Sequence, residues 1–158
     1  MIKYYNSMVV FSEIPDEITL AINITNCPCR CEGCHSKYLW GDVGIELTTG
    51  ELDELIAINR GVTCICFMGH GGLDGIDEII RLSKHVKDKH RLKVGLYSGF
   101  ENLRDIDGIG VLDFLKEGKY VEELGGLDSS NTNQRFYAND GDGFVDRTIL
   151  FWRRKKAL

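Results

Sequence analysis

Apolar residues at Ile18, Leu20, Ile22 and Ile24 alternate with other positions, and the small Ala21 lies on the opposite face, so the pattern predicts a strand over Ile18 to Thr25. The strand runs directly into Asn26-Cys27-Pro28-Cys29-Arg30-Cys31-Glu32-Gly33-Cys34, where a proline lacking an amide donor and a glycine free to turn predict a loop. Cysteines are thereby gathered at the carboxyl end of a strand. Further on, Thr48 and Glu51 form a capping box ahead of Leu52, Leu55 and Ile56, which predicts a helix over 49–60. Val62 to Met68 is a nearly continuous apolar run ending in glycines, as expected of a buried parallel strand.

The same alternation of elements continues. Asp74 or Asp77 is the expected cap of a helix carrying Ile76, Ile79, Ile80, Leu82 and Val86 on one face, and Leu92 to Tyr97 is the next strand. A weaker helix is expected over Glu101 to Ile106, followed by a strand over Val111 to Leu115. Beyond it, Arg135 to Ala138 and Thr148 to Trp152 are expected to pair as a hairpin around Asn139-Asp140-Gly141-Asp142-Gly143. Asp140, Asp142 and Asp146 lack the twelfth-position Glu and flanking helices of a calcium loop, so they read as a surface turn. This order predicts an α/β fold with a mainly parallel sheet, whose ligands gather beyond the carboxyl ends of the strands. Both the cysteine loop and Gly69-His70-Gly71-Gly72-Leu73-Asp74 lie there.

Composition narrows the class. At 158 residues, 43% apolar and 27% charged, the chain suits one globular domain over 1–158. The formal charge of −5 argues against a general nucleic-acid binder, and the basic run in 153–158 reads as a flexible tail. No stretch approaches the roughly 18 apolar residues that span a bilayer, and Met1 to Asn6 lacks the features of a secretory signal, so a cytoplasmic location away from membranes is expected. In such a compartment six cysteines are poor disulfide formers, and four of them lie between Cys27 and Cys34.

Cys27, Cys31 and Cys34 form C-x3-C-x2-C. Thiolates are soft ligands for zinc or iron, and three of them can hold three irons of a 4Fe-4S cluster while leaving the fourth iron open. A zinc knuckle remains the alternative reading of the same spacing. Cys29, wedged between the first two, is expected to face away or to support the loop. Cys64 and Cys66 on a buried strand read as small hydrophobes. His35 either lines the ligand pocket or is merely structural, and Leu124 to Phe136 is either a partner or lid region or an ordinary connection. The glycines at 69, 71 and 72 allow backbone groups to approach a carboxylate or amine, but they match no phosphate-binding motif.

The segments Asn23-Ile24-Thr25-Asn26-Cys27-Pro28 and Cys31-Glu32-Gly33-Cys34-His35-Ser36 resemble the cluster loop of radical S-adenosylmethionine enzymes. Within that superfamily, Cys64 to Gly69, Leu96 to Gly99, Phe114 to Val121 and Thr132 to Tyr137 look like the activating proteins of anaerobic ribonucleoside-triphosphate reductase. The resemblance covers nearly the whole chain. Two positions depart from the wider pattern: His70 separates Gly69 from Gly71-Gly72, and Gly33 precedes Cys34 where an aromatic residue is common.

What the resemblance implies is a partial or open (β/α) barrel in which Cys27, Cys31 and Cys34 bind three irons of one 4Fe-4S cluster. S-adenosylmethionine would chelate the fourth iron, with Gly33, Cys34, His35, Gly69, Gly71 and Gly72 around it. An electron from a flavodoxin or ferredoxin type donor would then split the cosubstrate, and the resulting radical would remove a hydrogen from a glycine of the large reductase subunit. Activation of another glycyl radical enzyme, such as pyruvate formate-lyase, is the neighbouring expectation. A deazaguanine-forming enzyme looks less similar after residue 90.

Overall fold

The computed structural model describes residues 1–70 and 73–157. Eight strands form a single sheet in the order β3-β1-β2-β4-β5-β6-β7-β8. They are β1 (Lys3–Val10), β2 (Thr19–Ile24), β3 (Ile45–Glu46), β4 (Cys64–His70), β5 (Lys93–Ser98), β6 (Phe114–Glu117), β7 (Arg135–Asn139) and β8 (Phe144–Asp146). Among the described residues, three α-helices accompany them: α1 (Thr49–Ile58), α2 (Ile76–His85) and α3 (Ile149–Ala157).

The expected mainly parallel sheet, and with it a partial (β/α) barrel, is overturned. Only β2-β4, β4-β5 and β5-β6 pair in parallel. The remaining pairs, β1-β2, β1-β3, β6-β7 and β7-β8, are antiparallel, and the sheet is unclosed. The strand-helix-strand rhythm between residues 19 and 98 dictates parallel crossovers, because a helix returns the chain to the same end of the sheet. At both margins the connections are loops instead, and reversal of direction produces antiparallel neighbours.

Local corrections have similarly local causes. Gly75, in a left-handed conformation at φ 88°, caps α2 in place of Asp74 or Asp77. The expected helix over 101–106 shrinks to a 3-10 turn at Leu103–Asp105. β7 pairs with β8, not with Thr148 to Trp152, most of which belongs to α3. There Asp146 Oδ1 accepts from the Thr148 amide at 2.9 Å, which ends the strand and begins the helix. The turn before β8 uses its acids internally, since Asp140 Oδ1 accepts from the amides of Asp142 and Gly143.

Two apolar layers cover the sheet. Leu20, Ile22, Ile65, Phe67 and Leu96 meet Leu52 of α1 and Ile79 and Leu82 of α2 on one face. The other face carries Cys64, Cys66, Tyr97 and Phe136 against Ile14 and Phe151 of α3. Cys64 and Cys66 are fully buried, in keeping with their reading as core residues. Among the described residues, no helix is long and apolar enough to cross a membrane.

Candidate active site

The cysteine loop leaves β2 at Thr25 and is held against its surroundings by backbone hydrogen bonds. Cys27 N donates to Leu39 O at 3.0 Å, Asn26 N to Gly41 O at 3.2 Å and Cys34 N to Cys31 O at 3.2 Å. Asn26 and Arg30 adopt positive φ, at 62° and 43°, so the loop is bent more tightly than most side chains allow. Gly33, at φ 76°, turns the chain into Cys34, whose Sγ accepts from Ser36 N at 3.3 Å. All four loop cysteines are free thiols; Cys31 is buried, whereas Cys27, Cys29 and Cys34 are partly exposed.

Across from this loop, the carboxyl ends of β4, β5 and β6 open onto a cavity of about 670 Å³. Met68, Tyr97 and Lys116 form its floor, one from each strand, and Cys34 and His35 bring the loop into its wall. Tyr120 also lines it and stands against His35 with ring centroids 5.9 Å apart. Leu127, Asp128 and Gln134 from the connection between β6 and β7, together with Phe151 of α3, complete the enclosure. A volume of this size lies in the range of small-molecule and cofactor pockets.

Lys116 defines the electrostatics. Its side chain reaches the cavity and is half-buried, the ammonium donating to Gly118 O at 3.1 Å. Burial lowers its pKa to about 8, while the nearby sulfurs of Cys31, Cys29 and Cys27 pull in the opposite direction. The cation is poised to gain from any negative charge assembled on the cysteine loop. Cys29 behaves differently: burial first, then the neighbouring Cys27 and Cys31, raise its thiol to about 11. Its sulfur lies over Gly99, where an added Cβ would approach Sγ to 2.5 Å. Cys29 is therefore packed as a protonated thiol against the end of β5.

The residues expected from the sequence separate into groups. Cys34 and His35 border the cavity, and the sulfurs of Cys27 and Cys31 act on Lys116 from beside it. Gly33 instead abuts Glu122. Gly69, at φ 84°, produces the register shift at the end of β4, and a Cβ there would lie 2.8 Å from Leu39 Cδ1 and 2.9 Å from Ile24 O. Its role is to let β4 pass close beneath the segment that anchors Cys27. Gly71 and Gly72 lie outside the described residues. Met68, Tyr97, Lys116, Tyr120, Asp128 and Gln134 were not singled out by sequence reasoning. A lysine within the apolar run Phe114-Leu115-Lys116 was the available signal for one of them.

Cys27, Cys31 and Cys34 carry free thiols, soft donors of the kind that iron and zinc accept. Among the described residues, no three cysteine sulfurs lie within 4.8 Å of one another. No protein-family model, curated protein or solved structure matches this chain.

Proposed function

We propose that this chain is a cytoplasmic activase that reductively cleaves S-adenosylmethionine and installs a glycyl radical on the large subunit of an anaerobic ribonucleoside-triphosphate reductase. The observation that carries this reading is a loop of free cysteines at the end of β2 opening, through Cys34 and His35, onto a cavity with the Lys116 ammonium at its floor. Cys27, Cys31 and Cys34 would hold three irons, while the protonated Cys29 stays with Gly99. When bound, the cluster supplies one electron, received from a flavodoxin or ferredoxin type protein, and an open coordination position for the cosubstrate's amine and carboxylate.

The protein's own groups bind, orient and exclude water. Lys116 places positive charge where an anionic cofactor and a carboxylate need it. Met68, Leu127 and Phe151 provide apolar wall, which limits solvent around a reactive species. Tyr97, Gln134 and Asp128 place polar side chains around the same space, the Tyr97 hydroxyl donating to Glu13 O and Gln134 Nε2 to Gly118 O at 3.3 Å. Holding the reacting parts in one enclosed space is the protein's contribution to rate.

Anaerobic reconstitution with iron and sulfide tests the reading. About four irons and acid-labile sulfides per chain, methionine and 5'-deoxyadenosine after reduction with S-adenosylmethionine, and a glycyl radical signal on the reductase are expected. One zinc per chain without sulfide would overturn it, and a signal only on pyruvate formate-lyase would replace the proposed partner.

A further inference from the structure

On the helical side of the sheet, opposite the cysteine cavity, two imidazoles converge on one carboxylate. His85 Nε2 lies 2.8 Å and His90 Nε2 2.6 Å from the same Asp53 Oδ1. Lys89 Nζ holds the other oxygen, Oδ2, at 2.7 Å. We propose that Asp53, His85 and His90 form a binding site for a divalent transition-metal ion of the zinc class, which ties α1 to the end of α2.

The backbone is shaped for this convergence. In a continuous α-helix, residues five apart point about 140° away from each other, so His85 and His90 would not share a target. Here α2 passes into a π-helical turn over Val86–His90, which widens the last turn and brings position 90 back beneath position 85. Arg91 closes the turn in a left-handed conformation at φ 56°. The two rings stand nearly edge to face, with centroids 6.1 Å apart and an interplanar angle of 72°, so both nitrogens face the carboxylate without the rings stacking.

The donor chemistry selects the ion. Two imidazole nitrogens and a carboxylate oxygen suit zinc, nickel or copper far better than magnesium or calcium, which prefer oxygen alone. All three ligand atoms lie within 4.8 Å of one another. Tetrahedral coordination with bonds of about 2.0–2.1 Å spaces ligand atoms roughly 3.3 Å apart, so the His85 ring need withdraw by about 0.5 Å and the His90 ring by about 0.7 Å. The side chains of Asp53, His85 and His90 are 20–25% exposed, which leaves a path for the ion and room for water at the remaining position. Lys89 stays on Oδ2 and fixes the carboxylate's orientation, as partners of metal-bound carboxylates do. Since the site lies across the sheet from the cavity, the bound ion acts as a clamp between helices and takes no part in the chemistry proposed for the cysteine loop.

The test titrates zinc into the full-length chain after chelator treatment, following the histidine ring nitrogens by NMR and binding by calorimetry. The ring signals of His85 and His90 should move together as one equivalent binds, whether or not the cysteines take up a second ion. His90→Ala and Asp53→Asn should each weaken that site at least tenfold, and zinc should raise the melting temperature of the natural chain by more than that of His90→Ala. His85 and His90 signals that stay fixed at saturating zinc would overturn the proposal, and so would unchanged affinity in a folded His90→Ala. The ring signals of the unaltered protein decide the matter even if a variant fails to fold. Because nothing in this measurement depends on iron or S-adenosylmethionine, its failure leaves the proposed activity standing, and the reverse also holds.

Discussion

Single positions already separate the roles of chemically identical side chains. Cys29 and Cys31 are two residues apart and both sulfurs act on Lys116, yet the first packs over Gly99 with its thiol pushed up to about 11 and the second is buried. Cys31→Ala should abolish assembly of an intact cluster, whereas Cys29→Ala should retain most of it, as read by iron content and visible absorption; equal loss from both would refute the assignment. Lys116 gives a second prediction. Burial lowers its folded pKa to about 8, below the ordinary lysine value, so the folded cluster-free chain sheds this proton before the unfolded chain does. The group thus penalises folding below about pH 8, and the penalty fades as pH rises toward 10.5. In denaturant titrations, the stability of the natural chain relative to Lys116→Met should improve by on the order of 2 to 3 kcal/mol between pH 7 and 10.5. Sequence showed the thiols and hid the ammonium, because a lysine on a strand ordinarily reads as a solvent-facing residue and only the third dimension places it under the loop.

At the scale of elements, legibility followed periodicity and capping. Thr48 does cap α1, accepting from Glu51 N at 3.1 Å, and Thr48→Ala should cost about 1 kcal/mol in chemical unfolding. The strand after α1 was likewise plain from its apolar run. What could not be read was its last bend, since Gly69 turns β4 only in relation to Ile24 and Leu39, which are remote in the chain. Gly69→Ala should force apart β4 and the anchor of Cys27, lowering both the melting temperature and the cluster occupancy measured by iron content. The π-helical turn at the end of α2 was equally hidden, because no local residue pattern distinguishes its five residues from one more turn of α-helix.

The molecule as a whole is a parallel centre with antiparallel margins, and only the centre was legible. Its strands are spaced by helices with clear apolar faces; β1 was not anticipated, and β8 was displaced from the expected partner segment by the cap at Asp146. Phe136 links centre and margin, stacking on Phe114 at 5.8 Å and meeting Phe151 of α3 edge to face at 5.1 Å. Phe136→Ala should therefore lower unfolding stability by about 3–5 kcal/mol and loosen the cavity wall near Phe151, which calorimetry and hydrogen exchange of α3 would detect. The two outermost strands have a further consequence. β3 is two residues long and pairs only with Lys3 and Tyr4, so from Tyr5 to Val10 the outer edge of β1 has no neighbouring strand among the described residues. That border, with Tyr5 and Met8 exposed along it, is a template on which a further strand can add, whereas the three-residue β8 offers little at the opposite border.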